Sequence, residues 1–152
     1  MIIKCAIIDD EPLALGLLES YVKKTPSLEL YGAYSSAIQA MELLTDHPVD
    51  LIFLDIQMPV LNGLEFSKIV PGSTRIIFTT AFGQYALDGY KVNALDYLLK
   101  PISYTDFMTA VNKAVQWFEL RQKAETSSGE IQSSEDLKYI YVKSDYKLIQ
   151  IE

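Results

Sequence analysis

The sequence predicts an α/β fold, a doubly wound, five-stranded parallel sheet with helices on both faces. Three observations carry this. Strand-like and helix-like stretches alternate five times along the chain, as they must when each parallel strand is joined to the next by a crossover helix. Residues 51 to 54, Leu-Ile-Phe-Leu, are apolar without a break, which suits a strand buried on both faces. That run stops at one carboxylate, Asp55, and the turn signals Met58-Pro59 and Asn62-Gly63 follow. Open α/β sheets place their ligand and reaction sites at the carboxyl ends of strands. Taken alone, Asp55 would serve equally well as a cap for the next loop or helix. The other strand ends decide.

Residues 2 to 8 read as a first strand, closed abruptly by Asp9-Asp10-Glu11. Pro12 then falls in the first turn of a helix, where its missing N–H costs nothing. Ala14, Leu17, Leu18 and Tyr21 make the apolar stripe of that helix, which ends near Pro26. Residues 28 to 31 alternate and suit a short strand towards an edge. Ser35 or Ser36 caps a second helix with the stripe Ala37, Ala40, Met41 and Leu44. His47, at that helix's end before Pro48, suits a solvated position, and a single histidine makes a poor metal site.

After Asp55 a short helix is expected over about residues 63 to 70, stopped by Pro71-Gly72. Residues 75 to 80 form a fourth strand that ends in two hydroxyls, Thr79 and Thr80. A weaker helix follows over roughly 84 to 91, with Gly83 and Gly89 lowering its stability. Residues 94 to 99 form a fifth strand, ending at Lys100-Pro101. Ser103 and Asp106 resemble a capping box with Asp in place of Glu. The helix after it carries Phe107, Ala110, Val111, Ala114 and Phe118 on one stripe.

The chain of 152 residues has room for one ordinary domain and a fragment of another. Residues 1–120 are expected to form the domain, and 121–136 a linker by their polar composition. Residues 137–152 suit the start of a truncated β-rich domain, with a hairpin around Ser144-Asp145-Tyr146. A net charge of -7 argues against this segment gripping a nucleic-acid backbone. The single cysteine, Cys5, excludes an internal disulfide, suits a reducing cytoplasm, and reads as a buried filler. No apolar run reaches the length of a membrane span, and a start that turns acidic at Asp9 is no signal peptide. The expectation is a soluble, cytoplasmic protein with no membrane contact.

In a doubly wound sheet with the first strand central, strands one and three are neighbours and four and five continue that side. Asp9, Asp10 and Asp55 then converge, with the Thr80 hydroxyl and the Lys100 ammonium beside them. Unpaired carboxylates this close repel one another, so positive charge must sit among them. Oxygen ligands open to water suit Mg²⁺ or Mn²⁺ rather than zinc. A carboxylate nucleophile can accept a phosphoryl group. Mg²⁺ would neutralise the transferring oxygens, while Lys100 and Thr80 supply charge and a donor to them. Asp55 is the acceptor of choice because it alone lies between the acid pair and the Thr80/Lys100 pair. Such a site needs no turnover, and the protein is expected to be a phospho-acceptor rather than an enzyme, assisting at most its own phosphorylation and dephosphorylation.

The motifs I-I-D-D-E (7 to 11), L-D-I-Q-M-P (54 to 59) with N-G (62 to 63), T-A (80 to 81) and Y-L-L-K-P (97 to 101) resemble the response-regulator receiver domains of bacterial two-component signalling. The resemblance covers about residues 2 to 120. It implies a flavodoxin-like sheet of order 2-1-3-4-5 and an Asp55 phosphorylated by a sensor histidine kinase. It also implies that Asp9, Asp10, Asp55 and the Gln57 backbone carbonyl hold the metal, and that Thr80 and Tyr97 form a switch. Tyr97 on the last strand is also simple core packing, and both roles are compatible. The wording D-D-E-P-L-A (9 to 14) and V-N-A-L-D-Y-L-L-K-P-I (92 to 102) resembles the LytTR (LytR/AlgR-type) subgroup. In that subgroup a β-rich DNA-binding domain follows the receiver, and Y-I-Y-V-K-S (139 to 144) resembles its first strand. DNA would be bound only through that domain, and phosphorylation is expected to favour a homodimer through the fourth helix and fifth strand.

Rival readings fail on particular residues. A flavin-mononucleotide binder needs a phosphate loop after strand one, where Asp9-Asp10-Glu11 would repel the phosphate. A haloacid-dehalogenase-type hydrolase needs an acid two residues past Asp55, where Gln57 cannot act as one. A phosphorylation-independent, receiver-like interaction domain remains the alternative. Gln57 and Phe82 are the residues expected to tune hydrolysis, since each stands two residues past a site residue. Gln57 could orient a water without deprotonating it. Phe82 either shields the phosphoryl group or packs outward on the following helix.

Overall fold

The computed structural model describes residues 1–58, 65, 66, 68, 70–81 and 94–131. In chain order the elements are β1 (Ile3–Ile8), α1 (Pro12–Lys23), β2 (Leu28–Tyr34), α2 (Ala37–Asp46), β3 (Leu51–Asp55), β4 (Arg75–Thr80), β5 (Asp96–Leu99) and α3 (Tyr104–Ile131). The five strands form one sheet of order β2-β1-β3-β4-β5, and every pairing is parallel. This is the expected doubly wound, flavodoxin-like sheet, with β2 at one edge and β5 at the other.

The central strand β3 is buried at every position, because helices cover both faces of the sheet. Ile52 and Leu54 point into one layer with Ala37, Ala40 and Leu44 of α2 and with Phe66, Ile76 and Phe78. Phe53 points the other way and stacks on Phe107 of α3 at 5.3 Å between ring centroids, with Tyr21 of α1 against the same ring at 5.2 Å. The alternation of a strand thus sorts one apolar run into two cores.

The helix starts follow the expected caps. Ser36 Oγ accepts the Gln39 N–H at 3.4 Å, and Ser103 Oγ accepts that of Asp106 at 3.1 Å. Pro12 opens α1. In α1 the buried stripe is Leu18 and Val22, while Leu17 is 37% exposed. Apolar residues at 13, 15, 17, 18, 21 and 22 wrap most of this helix, so contact with the sheet sets its rotation. Leu17 is therefore turned outward, contrary to expectation. Of the helix expected over 63 to 70, Glu65 and Phe66 are helical and Val70 lies in a bend. The helix expected over 84 to 91, the hairpin around Ser144 and Phe82 lie outside the described residues.

The chain divides into two compact units, Met1–Val115 and Gln116–Glu152. Helix α3 continues to Ile131, so the polar stretch expected to be linker from residue 121 begins as helix. Arg, Gln, Lys, Ala and Glu at 121 to 125 are all strong helix formers. Extending an existing helix costs far less than starting one. Polarity there marks solvent exposure rather than irregular backbone. Within this stretch the Arg121 guanidinium lies 5.3 Å from the Trp117 ring, one helical turn back. Among the described residues no helix is long and apolar enough to cross a membrane.

Candidate functional site

Parallel register brings the site together. Ile8 of β1 pairs with Leu54 of β3, so the next residues, Asp9 just past β1 and Asp55 at the end of β3, follow side by side. Asp55 pairs with Thr79, which puts Thr80 one step beyond, and Thr80 pairs with Leu99, which puts Lys100 one step beyond that. Backbone bonds fix these ends: Ile56 N–H donates to Thr79 O at 3.0 Å, and Lys100 N–H donates to Thr80 O at 2.8 Å.

Asp9, Asp55 and Thr80 are buried, while Asp10 is exposed at the mouth. Lys100 Nζ lies 3.0 Å from Asp9 Oδ2, 3.3 Å from Asp55 Oδ2 and 2.9 Å from Glu11 Oε1. The two oxygens of Asp55 have different partners. Oδ2 faces Lys100, and Oδ1 accepts the Gln57 N–H at 3.1 Å. Burial and then the Asp9 charge push the Asp55 carboxyl up to about 7, against the opposing pull of Lys100 and the Gln57 N–H. For Lys100, burial works to lower the pKa, but hydrogen bonds to Glu11 and Asp9 and the charges of Asp9 and Asp55 outweigh it and raise it. The ammonium stays charged.

This donor set fits a divalent cation. Asp9, Asp10 and Asp55 each offer an oxygen, and these oxygens lie within 4.8 Å of one another. Asp9 Oδ2 is buried and, although 3.0 Å from the ammonium, receives no hydrogen bond of acceptable geometry. A buried carboxylate oxygen left so is costly unless a cation takes it. Hard oxygen ligands suit Mg²⁺.

A family model for the response regulator receiver domain matches residues 5–112. The chain belongs to this family. The transcriptional regulatory protein BtsR of Escherichia coli (strain K12) is 40% identical over 102 residues, which are 66% of this chain and 43% of that protein. The matched stretch is thus less than half of that curated relative. Among solved structures, the response regulatory domain of mrkE from Klebsiella pneumoniae is similar with a TM-score of 0.71 and 28% identity, over 77% of this chain and 98% of that one. The REC domain of AraT, a response regulator from Geobacillus stearothermophilus, has a TM-score of 0.71 and 27% identity, over 80% and 99% of the two chains.

Of the residues expected in this receiver's site, Asp9, Asp10, Asp55 and Lys100 gather in one pocket, and Thr80 ends the adjoining strand. Gln57 contributes its N–H to Asp55. Tyr97 lies one strand layer away: its half-buried ring stacks on Phe78 at 5.4 Å, and its enclosed hydroxyl has no hydrogen-bond partner among the described residues. Phe82 lies outside the described residues. Glu11 was missed as a site residue. Its signal was slight: a third acid directly follows Asp9-Asp10, and only the loop conformation brings it to Lys100.

Proposed function

We propose that this receiver domain accepts a phosphoryl group on Asp55 from a sensor histidine kinase, and that the phosphorylated form dimerises to control transcription through a downstream DNA-binding domain. The observation that supports it most is Asp55 itself: a buried strand-end carboxylate with one oxygen on Lys100 and the other on a backbone N–H.

In the transfer, an Asp55 oxygen bonds to phosphorus as the bond from phosphorus to the donor's imidazole nitrogen breaks, and the imidazole leaves with the electron pair. Asp9, Asp10, Asp55 and the Gln57 carbonyl would hold Mg²⁺ or Mn²⁺, which supplies positive charge to the phosphoryl oxygens. Lys100 supplies a second, fixed positive charge, and Thr80 a hydroxyl from the adjoining strand end. The buried strands behind the pocket exclude water from the rear. Gln57 could orient a water for eventual hydrolysis but cannot deprotonate it. The domain acts as a phospho-acceptor and not as an enzyme on other substrates.

A protein donor suits the rim. A groove of about 370 Å³ beside Lys100 is lined by Leu13, Leu17 and Pro101, and Leu13 is 91% exposed. Exposed apolar side chains around a reactive pocket favour a partner that covers them. Recruitment of Tyr97 behind Thr80 would carry the signal to the fifth strand. The motifs shared with the LytTR subgroup support DNA binding through a domain beginning near residue 137, in the cytoplasm.

Acetyl phosphate and Mg²⁺ should give a single hydroxylamine-labile phosphoryl adduct by intact mass. No adduct would favour a phosphorylation-independent interaction domain instead.

A further inference from the structure

An ammonium has three N–H donors, and in this structure each faces a carboxylate. Lys100 Nζ donates to Glu11 Oε1 at 2.9 Å, to Asp9 Oδ1 at 3.3 Å and to Asp55 Oδ2 at 3.3 Å. Lys100 is therefore fully engaged before any phosphoryl group arrives. A phosphoryl group esterifies Asp55 and removes that carboxylate's charge, so the ammonium must shift from Asp55 Oδ2 to a phosphoryl oxygen, restrained only by its contacts with Asp9 and Glu11.

The three contacts differ in what release would cost. The Asp9 side chain is 0% exposed, so losing the ammonium would strand its charge away from water, whereas phosphorylation itself cancels the charge of Asp55. The Glu11 side chain is 63% exposed, and water can take over as its partner. Its backbone, in contrast, is anchored. Glu11 N–H donates to Asp9 Oδ1 at 2.9 Å, and Glu11 O accepts the Leu15 N–H at 3.0 Å as α1 begins. A fixed main chain thus carries a carboxylate that is free to turn, at the shortest of the three distances.

We propose that Glu11 is a positioning residue, a latch that parks the Lys100 ammonium at the mouth of the pocket and yields it when a phosphoryl group occupies Asp55. The inference rests on the phospho-acceptor reading above. Glu11 touches no reacting atom. It sets how readily Lys100 turns inward, and because the pair is partly exposed its effect is modest.

The test compares Glu11→Gln and Glu11→Asp with the wild type. Gln removes the charge, while Asp keeps the charge and shortens the reach by one methylene. At saturating Mg²⁺, both variants should bind beryllofluoride about two- to fivefold more tightly than wild type. Without metal, NMR relaxation of the Lys100 ε-carbon should report more side-chain freedom in both. Tighter binding in Glu11→Gln alone would overturn the latch and leave a general charge effect. Wild-type affinity or weaker binding in both variants would also overturn it, while leaving the phospho-acceptor reading intact. A wild-type protein that binds no beryllofluoride would overturn that reading and the latch with it.

Discussion

Asp55 and Asp9 are both buried, and their charges meet at a single ammonium. Asp10, at the mouth, adds a third negative charge to the same cluster. Removing it relieves repulsion but also removes a ligand. Asp10→Asn should therefore melt higher than wild type in chelator, yet bind Mg²⁺ more weakly by about tenfold or more. Thermal melts with and without Mg²⁺ check both halves, and a lower metal-free melting point would contradict the repulsion. These residues were legible because each ends an apolar strand, where stability gives no reason for a charge. Glu11 was less so, since its reach to Lys100 depends on a loop conformation that periodicity does not encode. Cys5 is a second buried group with a testable consequence. Burial pushes its thiol from its ordinary 9.0 up to about 12, so the unfolded chain releases this proton at lower pH than the folded one. The stability Cys5 contributes is whole below pH 9.0 and is lost as pH rises towards about 12. Across that window wild type should lose up to about 1.4 kcal/mol per pH unit more than Cys5→Ala. Urea unfolding of the two proteins between pH 8 and pH 10 gives the comparison, and parallel curves would contradict it.

Among the elements, β3 and β4 were the most legible, because contiguous apolar runs with polar ends leave little freedom in where a buried strand starts and stops. β2 was harder: it runs to Tyr34, beyond the residues 28 to 31 that alternate. Gly32 sits inside it where Tyr34 folds back over the chain, and a Cβ at that position would collide with the Tyr34 ring. In α2 the buried positions Ala37, Ala40 and Leu44 are the expected ones, although Ile38 and Leu43 are apolar and exposed. In α3 the expected stripe holds at Phe107, Ala110, Val111 and Ala114, which are buried, while Phe118 is only half-buried. Phe107 is its anchor, enclosed between Phe53 and Tyr21. Phe107→Ala should cost about 3–5 kcal/mol in urea unfolding. Ser103→Ala, which removes only the cap, should cost about 1 kcal/mol. A cap loss as large as the core loss would mean that α3 is held by its first turn rather than by its buried face.

At the scale of the whole molecule, the sheet order and the pocket at its strand ends follow from alternation and from five motifs in order. How the signal leaves the domain does not follow from either, because an output surface is chosen by a partner and leaves no period in the sequence. Dimerisation on phosphorylation would bring two downstream domains together and raise their effective concentration on paired sites. Sedimentation with Mg²⁺ and beryllofluoride should then contain more dimer than without, and an unchanged distribution across a wide concentration range would remove dimerisation as the output.

The phospho-acceptor role and the Glu11 latch both depend on Asp55 being the acceptor. The direct measurement is to phosphorylate wild type and Asp55→Asn with acetyl phosphate and Mg²⁺, reduce with borohydride, and locate the reduced residue by peptide mass spectrometry. The wild type should carry one reduced aspartate, at position 55, and the folded Asp55→Asn protein none. Equal labelling of the two proteins, or a reduced residue elsewhere in the wild type, would contradict the assignment.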